Sequence, residues 1–234
     1  MEKKLDNLEF EKHFKARGFA SQRRYPNEPM VQFLAEHYFP LSPALRKKTR
    51  ILEVGCGSGA NLWVIAREGF DAYGIDIAKS ALPLAKQMLR GYGTSAKLQV
   101  GNMRSLPYAN NFFDAVIDVL SIEHTTLKGH EQAFAEIFRT LKPGGRFFSW
   151  HLGAESVNFK KGGGKKLDRY TTDDTPNQDV PYPNNGTTCF LTAPLARKML
   201  KAAGFAHVRI ERVMRTYKEM TQEVEYFAIS ARKP

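Results

Sequence analysis

The sequence predicts an α/β protein with a doubly wound, mostly parallel β-sheet. From Arg50 onward, short apolar runs alternate with helix-length amphipathic segments, as they do in repeated strand–helix–strand units. A glycine-rich turn from Gly55 to Gly59 follows the first apolar run, and Asp76 closes the second. Crossovers between parallel strands are right-handed, so the loops that bind ligands gather at the carboxyl edge of such a sheet.

Length and composition fit one large α/β domain with additional segments. The 234 residues are 42% hydrophobic and 25% charged, which is typical of an ordinary globular protein. A chain of this size buries about 70% or more of its unfolded surface on folding. Its two cysteines, Cys56 and Cys189, are too few for a disulfide framework or a four-cysteine zinc site. We therefore expect a reducing compartment and no bound metal.

The amino-terminal sequence predicts neither a signal peptide nor a membrane anchor, because residues 1–20 contain no sustained apolar run. No other stretch approaches the roughly 18 apolar residues that a membrane-spanning helix needs. We therefore expect a cytoplasmic protein without a membrane partner.

The formal net charge of +11 lies mainly at the two ends of the chain. Residues 1–50 carry 11 basic and 6 acidic side chains and residues 195–234 carry 9 and 4, whereas residues 51–150 carry 10 and 9. Such an excess can indicate a nucleic acid or an anionic lipid surface. Its placement favours basic flanks around a nearly neutral binding core, and it is compatible with an anionic acceptor.

The region before the first predicted strand, residues 1–49, is expected to form a helical cap on the main domain. Residues 28–38 predict one amphipathic helix, since Met30, Phe33 and Leu34 fall at helical spacing. We expect this helix to pack on the main domain.

The remaining pattern predicts the order of elements in the main domain, residues 50–234. Apolar runs predict strands over residues 51–54, 72–77, 98–100, 113–120, 146–152, 208–214 and 224–231. Amphipathic spacing predicts helices over residues 61–68, 80–89, 131–141 and 194–203. Proline and glycine predict a turn at residues 142–145, and a polar stretch predicts a long inserted loop at about residues 153–190.

The glycine-rich turn and the acid after the second strand together indicate a nucleotide site. Gly55, Gly57 and Gly59 stand between a strand and a helix, where glycines permit a tight turn and let a ligand approach the backbone. Asp76 follows Gly55 by 21 residues and can accept hydrogen bonds from both hydroxyls of a ribose. Dinucleotide dehydrogenases share this geometry, and Gly55, Gly57 and Ala60 satisfy their G-x-G-x-x-A form. The turn and the acid therefore leave the kind of nucleotide open.

Four motifs in order resemble those of the class I S-adenosylmethionine-dependent methyltransferases, in particular the small-molecule branch of type 11 or type 25. They are LEVGCGSG, YGID, FFDAVIDVLSIEH and LKPGGRF, within residues 50–152. Glu53 before the turn and the later K-P-G-G segment distinguish this pattern from that of the dehydrogenases. The resemblance implies a Rossmann-like sheet of seven strands, mostly parallel with an antiparallel last strand, and helices on both faces. It also implies S-adenosylmethionine as the cofactor and S-adenosylhomocysteine as the product.

The resemblance further implies which residues bind the cofactor. The turn would line its methionine part, Asp76 would hold the ribose, and Asp118 and Val119 would lie near the sulfonium. Asn102 stands where the family often has an aspartate beside the adenine. The implied cofactor-binding residues are Glu53, Gly55, Cys56, Gly57, Gly59, Asp76, Ile77, Asn102, Met103, Asp118 and Val119.

Two histidines are candidates for a general base in the reaction. His124 follows the fourth strand and His151 ends the fifth, so both are expected at the carboxyl edge, where an acceptor would lie. Histidine also has a suitable unperturbed pKa. For each the alternative is a hydrogen bond within the structure, since methyl transfer can proceed by positioning alone. We expect Glu123 to face solvent.

Residues outside the nucleotide core are expected to select the acceptor. Arg24 and Tyr25, before the predicted amphipathic helix, are candidates to bind an anionic acceptor, with a solvated arginine as the alternative. The predicted function is methyl transfer to a small molecule, such as a metabolite, sugar or natural product, by in-line displacement. The alternative is an RNA or other nucleic-acid methyltransferase. The net charge favours that alternative, and the absence of a (D/N/S)-P-P-(Y/F/W) motif after the fourth strand opposes it.

Overall fold

A computed structural model of the chain describes residues 8–234, apart from the side chains of residues 8, 9 and 21. Residues 1–7, which belong to the predicted cap and to the stretch that predicts no signal peptide, lie outside the described residues. Between residues 8 and 234, no helix is both long enough and apolar enough to cross a membrane.

The described chain contains nine strands, seven of them in one sheet. They are β1 (Arg50–Val54), β2 (Asp71–Asp76), β3 (Lys97–Val100), β4 (Phe113–Val119), β5 (Leu141–Leu152), β6 (Thr171–Thr172), β7 (Thr188–Cys189), β8 (Ala206–Tyr217) and β9 (Gln222–Arg232). The large sheet has the order β3-β2-β1-β4-β5-β9-β8, and β6 and β7 form a separate pair. Neighbouring strands from β3 to β5 are parallel, while β9 is antiparallel to β5 and β8. The predicted seven-stranded sheet with an antiparallel last strand is confirmed.

Helices cover both faces of this sheet, as predicted. They are α1 (Leu8–Arg17), α2 (Glu28–His37), α3 (Pro43–Arg46), α4 (Leu62–Arg67), α5 (Ala81–Gly91), α6 (Leu127–Thr140), α7 (Val157–Lys161) and α8 (Ala193–Ala202). Successive side chains of a strand point to opposite faces. Leu52 accordingly joins the core cluster that contains Phe134 of α6, and Ile51 joins the cluster that contains Leu62 of α4.

The start of α6 differs from the predicted start. The helix begins at Leu127, four residues before the predicted Glu131, because Thr126 caps it. The side-chain oxygen of Thr126 accepts a hydrogen bond from the backbone N–H of Gly129 (3.3 Å), which satisfies one of the free donors at a helix start.

The predicted turn at residues 142–145 is wrong, because β5 continues through this segment from Leu141. Its pairing with β4 shifts register there, and Gly144 adopts a φ of +80°. The glycines therefore form a bulge inside a strand, where a left-handed residue is accommodated without ending the pairing.

The inserted stretch at residues 153–190 is partly regular and packs against the carboxyl edge of the sheet. It contains α7, β6 and β7. The Asp168 carboxylate accepts a hydrogen bond from the backbone N–H of Leu127 (3.0 Å), and the Thr187 carbonyl contacts the ring of His124 (3.0 Å). These contacts place the insertion beside the ligand-binding edge.

The amino-terminal segment lies on the same edge. Phe14 of α1 packs on Ala78 and Ala81, and Glu11 accepts a hydrogen bond from the backbone N–H of Ser80 (3.1 Å). Because α2 shares a core cluster with the sheet, the predicted boundary between cap and main domain stays a prediction.

Candidate active site

A cavity of about 510 Å³ opens at the carboxyl edge of the sheet. Its walls come from the ends of β1, β2, β4 and β5, from the amino-terminal segment, from the inserted stretch and from β8 and β9. The predicted residues that line it are Glu53, Gly55, Cys56, Gly57, Asp76, Ile77, Asn102, Met103, Val119 and His124.

The glycine-rich turn is shaped by its contact with the segment after β4. Gly55 has a φ of +64°, and a Cβ there would lie 2.3 Å from the side chain of Ser121. The Ser121 hydroxyl donates a hydrogen bond to the Gly55 carbonyl (3.0 Å). Only glycine fits this close approach, because any side chain would collide with Ser121.

Asp76 closes the cavity beside this turn. One carboxylate oxygen accepts a hydrogen bond from the Gly57 N–H, and the other accepts one from the Ala78 N–H, both at 2.8 Å. Burial raises the pKa of Asp76, and the two backbone N–H groups act in the opposite direction. The carboxylate is thereby held at the end of β2, where it can meet the hydroxyls of a nucleoside.

Glu53 on β1 has a carboxylate oxygen without a partner. Its Oε1 accepts a hydrogen bond from the side-chain amide of Asn61 (2.6 Å), whereas Oε2 is buried with no hydrogen-bond partner in the described part of the chain. Burial raises the pKa of Glu53 to about 8, against the opposing effects of the Asn61 hydrogen bond and of the nearby Arg23 charge. Leaving a buried polar atom without a hydrogen bond costs free energy. A ligand that donates a hydrogen bond to Oε2 would remove this cost.

A chain of buried amides fixes the position of Glu53. The side-chain oxygen of Asn61 accepts a hydrogen bond from the Asn27 backbone N–H (2.9 Å), and the Asn27 side-chain oxygen accepts one from Met30 (3.1 Å). This chain connects the start of α4 to the start of α2. The cofactor side of the cavity is therefore joined to the amino-terminal segment that covers it.

The predicted adenine contacts lie at the far end of the cavity. Asn102 and Met103 both line it, and the side-chain oxygen of Asn102 already accepts a hydrogen bond from the Arg104 backbone N–H (2.9 Å). This bond orders the segment after β3. Because one lone pair of that oxygen is engaged, Asn102 has less capacity for adenine than the prediction assumed.

Glu123 and His124 also line this cavity. Glu123 is buried, with 2% of its surface exposed, so the expectation that it faces solvent is wrong. Its Oε2 accepts a hydrogen bond from the Leu152 N–H (3.2 Å), and its Oε1 lies 3.7 Å from His124 Nε2. Burial raises the pKa of Glu123 well above its ordinary value and lowers that of His124 to about 4. His124 is therefore neutral at neutral pH, and burial favours the neutral form of Glu123.

Asp118 is fully buried and does not line the cavity. Its Oδ1 accepts hydrogen bonds from the N–H groups of Ser121 (3.1 Å) and Ile122 (3.0 Å), and its Oδ2 accepts one from the Ser149 hydroxyl (2.6 Å). Asp118 therefore shapes the turn after β4, and the predicted contact between Asp118 and the cofactor is not supported by its position.

His151 also lies outside the cavity lining. Its Nε2 is 2.8 Å from Nε2 of His130, and its Nδ1 is 2.8 Å from the Leu152 carbonyl. Burial lowers the pKa of His151 to about 3. Both ring nitrogens of His151 have hydrogen-bond partners in the core, so the prediction that His151 is a general base is wrong.

Arg24 and Tyr25 do not line the cavity either. The Arg24 guanidinium lies over the ring of Phe19 (5.8 Å), and 70% of Tyr25 is exposed. The neighbouring Arg23 faces the cavity instead. Arg23 and Arg24 lie in an irregular segment without helical or strand periodicity. The sequence therefore could not indicate which of the two arginines faces the cavity.

Gly59 lies outside the cavity lining and serves packing. Its φ is +83°, and a Cβ there would lie 3.2 Å from the backbone of Ala85 in α5. We expect Gly59→Ala to lower the free energy of unfolding by roughly 1–2 kcal/mol, the cost of the left-handed conformation for a side chain. Urea denaturation measures this loss. Ligand affinity should stay unchanged, because the side chain does not reach the cavity.

Gly91→Ala is the matched control for Gly59→Ala. Gly91 ends α5, and nothing lies within 4 Å of a Cβ placed there. This variant should be at least as stable as the parent protein. Unchanged stability of Gly59→Ala, or a loss of ligand affinity in its folded fraction, would contradict the packing role.

The strand order, the glycine-rich turn against Ser121 and the acid at the end of β2 define the arrangement of a class I S-adenosylmethionine-dependent methyltransferase. A family model described as "Methyltransferase domain" matches residues 52–149. These residues are a methyltransferase domain of that family, and S-adenosylmethionine is the cofactor of the class.

Curated relatives and solved structures agree with this assignment. The chain is 34% identical to methyltransferase phqN of Penicillium fellutanum, over 53% of this chain and 39% of phqN. It is 25% identical to sterol 24-C-methyltransferase ERG6 of Saccharomyces cerevisiae, over 80% of this chain and 48% of ERG6. The chain thus spans about half or less of these relatives. A methyltransferase structure from Methanosarcina mazei has the same fold, with a TM-score of 0.66 at 22% identity over 82% of this chain and 98% of that one.

Proposed function

We propose that this protein transfers a methyl group from S-adenosylmethionine to a small-molecule acceptor. The supporting observation is that one cavity is lined both by Asp76 and Glu53, whose Oε2 has no hydrogen-bond partner among the described residues, and by Glu123 and His124. We call the part of the cavity around Glu123 and His124 the acceptor chamber. A nucleoside donor and an acceptor can therefore meet within one enclosure.

Three side chains that line the cavity offer partners to the ribose and to the methionine part of the cofactor. Asp76 would accept the ribose hydroxyls, and Glu53 Oε2 would accept a hydrogen bond from the ammonium group. Arg23 lines the same cavity and lies close enough to Glu53 to favour its ionised form, so it would bind the carboxylate of the methionine part. When bound, the cofactor supplies an electrophilic methyl group on its sulfonium.

His124 would act as the general base toward an acceptor hydroxyl or amine. Its Nδ1 contacts the carbonyl of Thr187 (3.0 Å), which can only accept, so Nδ1 carries the proton and Nε2 keeps a lone pair. Burial lowers the pKa of His124 to about 4, so the ring is neutral at neutral pH and is a weak base. It would take the proton as the methyl group is transferred, when the acceptor atom becomes more acidic.

The size and lining of the cavity favour a small acceptor over a nucleic acid. Phe10 and Phe14 from α1 and Tyr182 from the insertion all line the cavity, whose volume of about 510 Å³ lies within the usual range of small-ligand pockets. The relatives described as sterol 24-C-methyltransferases are consistent with a small acceptor.

Calorimetry with S-adenosylhomocysteine and with NAD tests this proposal. We expect S-adenosylhomocysteine to bind and NAD to bind far more weakly. A folded protein that binds neither S-adenosylmethionine nor S-adenosylhomocysteine would overturn the proposal. Salt-dependent RNA binding at physiological ionic strength would favour the nucleic-acid alternative instead.

Binding of S-adenosylhomocysteine should release a proton from Glu53. The pKa of the free carboxyl is about 8, so it is mostly protonated at pH 7, whereas pairing with an ammonium group requires the ionised form. Affinity should therefore fall as the pH is lowered below about 8. Titration in buffers of different ionisation enthalpy measures the released proton.

Glu53→Gln should remove this proton release and weaken binding by about tenfold. Glu131→Gln, a change at an exposed carboxylate on α6, is the matched control and should retain both the affinity and the proton release. If the parent protein and Glu53→Gln release the same number of protons, a group other than Glu53 releases the proton and pairs with the ammonium group.

A further inference from the structure

Two of the arginines that line the cavity are candidates to bind an anion. Arg23 and Arg215 both line the cavity, and neither forms an ion pair within 4 Å in the part of the chain that the structure describes. Burial lowers the pKa of Arg23, the nearby carboxyls of Glu53 and Glu123 act in the opposite direction, and the charge of Arg215 lowers the pKa again. Burial also raises the pKa of Glu123, which weakens its capacity to balance these charges.

Arg215 differs from the two arginines that precede it on β8. Arg209 lies 3.2 Å from Glu36, and Arg212 lies 2.6 Å from Glu225. Arg215 has no such carboxylate among the described residues, and its guanidinium lies over the ring of Tyr226, 5.8 Å from the centroid. Arg215 is exposed, and it is the arginine of this strand that lines the cavity, so an anion would reach it from the solvent side.

Neutral hydrogen-bond donors accompany Arg215. The hydroxyls of Tyr182 and Tyr217 are 2.8 Å apart, and those of Tyr217 and Tyr226 are 3.3 Å apart. Tyr182 and Tyr226 both line the cavity. Burial raises the pKa of Tyr226, so its phenol stays protonated and able to donate. This wall of the chamber therefore presents donors and positive charge.

Aromatic rings form the surface between this wall and His124. Trp150 stacks on Tyr226 with 5.0 Å between ring centroids, and Phe10 meets the His124 ring edge-on at 4.7 Å. All four rings line the cavity. An acceptor that spans the chamber would thus contact apolar surface along its body and charge at one end.

We infer that the acceptor carries an anionic group, a carboxylate or a phosphate, that binds Arg215 and the tyrosine hydroxyls, with its apolar body against Trp150 and Tyr226. The atom to be methylated then lies at the His124 end of the chamber. This inference rests on the proposed function, because Arg23 is assigned there to the cofactor carboxylate and Arg215 is left for the acceptor.

Calorimetry on the full chain saturated with S-adenosylhomocysteine tests the inference, because the bound product then satisfies Arg23. The probes are benzoate, phenyl phosphate and the neutral benzyl alcohol. We expect at least one anion to bind about tenfold or more tightly than benzyl alcohol. The preferred anion distinguishes a carboxylate-bearing acceptor from a phosphate-bearing one.

Arg215→Ala should reduce the affinity for the preferred anion about tenfold or more, while the Kd for S-adenosylhomocysteine stays within about twofold. Arg215→Lys should retain part of the anion affinity, since it keeps the charge without the bidentate geometry. Arg209→Ala is the matched control on the same strand and should leave anion binding unchanged.

The possible failures are separable. A protein that does not bind S-adenosylhomocysteine would contradict the proposed function itself. A protein that binds S-adenosylhomocysteine but shows equal affinity for the anions and benzyl alcohol, or equal anion affinity in Arg215→Ala and the parent, would overturn the anionic acceptor alone.

Discussion

Gly57→Arg should abolish the binding of S-adenosylhomocysteine while the sheet still folds. A Cβ at this position would point toward the Phe14 ring, 3.6 Å away, and toward Gln22, which both line the cavity. The rest of an arginine side chain would therefore fill the space between the turn and the segment that covers it. We expect an affinity loss of at least about 100-fold, or roughly 2.7 kcal/mol, by calorimetry.

Two further variants separate obstruction from backbone strain. Gly57→Ala adds the same strain at a φ of +49°, but its Cβ meets its neighbours only at ordinary contact distance, so most of the affinity should remain. Gly91→Arg places the same side chain in open space at the end of α5 and should bind normally. If Gly57→Arg binds as tightly as the parent protein, the cofactor does not lie over this turn.

Asp76→Ala should weaken the binding of S-adenosylhomocysteine by about 1.5–3 kcal/mol, or roughly 10- to 150-fold, through loss of charge-assisted hydrogen bonds to the ribose. The same variant also removes the acceptor for the Gly57 N–H. Asp76→Asn keeps one oxygen acceptor and should lose less. Calorimetry at pH 8 measures all three proteins.

Asp71→Ala is the matched control, because Asp71 lies at the opposite end of the same strand and pairs with Lys97 (2.8 Å). Its affinity for S-adenosylhomocysteine should equal that of the parent protein. A calorimetric titration in which Asp76→Ala and Asp71→Ala behave alike would remove Asp76 as the ribose ligand.

The positions of the glycine-rich turn and of Asp76 in the fold could be predicted because their signals are local in the chain. The turn at Gly55 and the acid at Asp76 stand at fixed positions relative to β1 and β2, and parallel pairing brings the ends of these strands together. The packing role of Gly59 could not be predicted from the sequence, because its neighbour Ala85 lies on α5, which is distant in the chain.

The acceptor side could not be predicted in the same way. Arg215 and Tyr226 reach the cavity from β8 and β9, far along the chain from Glu123. The sequence predicts that Glu123 is exposed, because a carboxylate in a loop is usually solvated. In the structure, the surrounding residues bury it.

The sequence by itself determined the fold class, the order along the chain of the seven strands of the large sheet and the position of the glycine-rich turn. The hydrophobic period and the placement of glycines that predict them are properties of neighbouring residues. The tertiary structure alone decided which side chains face one another in the cavity. It selected Arg23 over Arg24, buried His151 in the core and left Arg215 without a carboxylate partner among the described residues. Burial and charge pairing depend on segments distant in sequence, and these set the chemistry of the acceptor chamber.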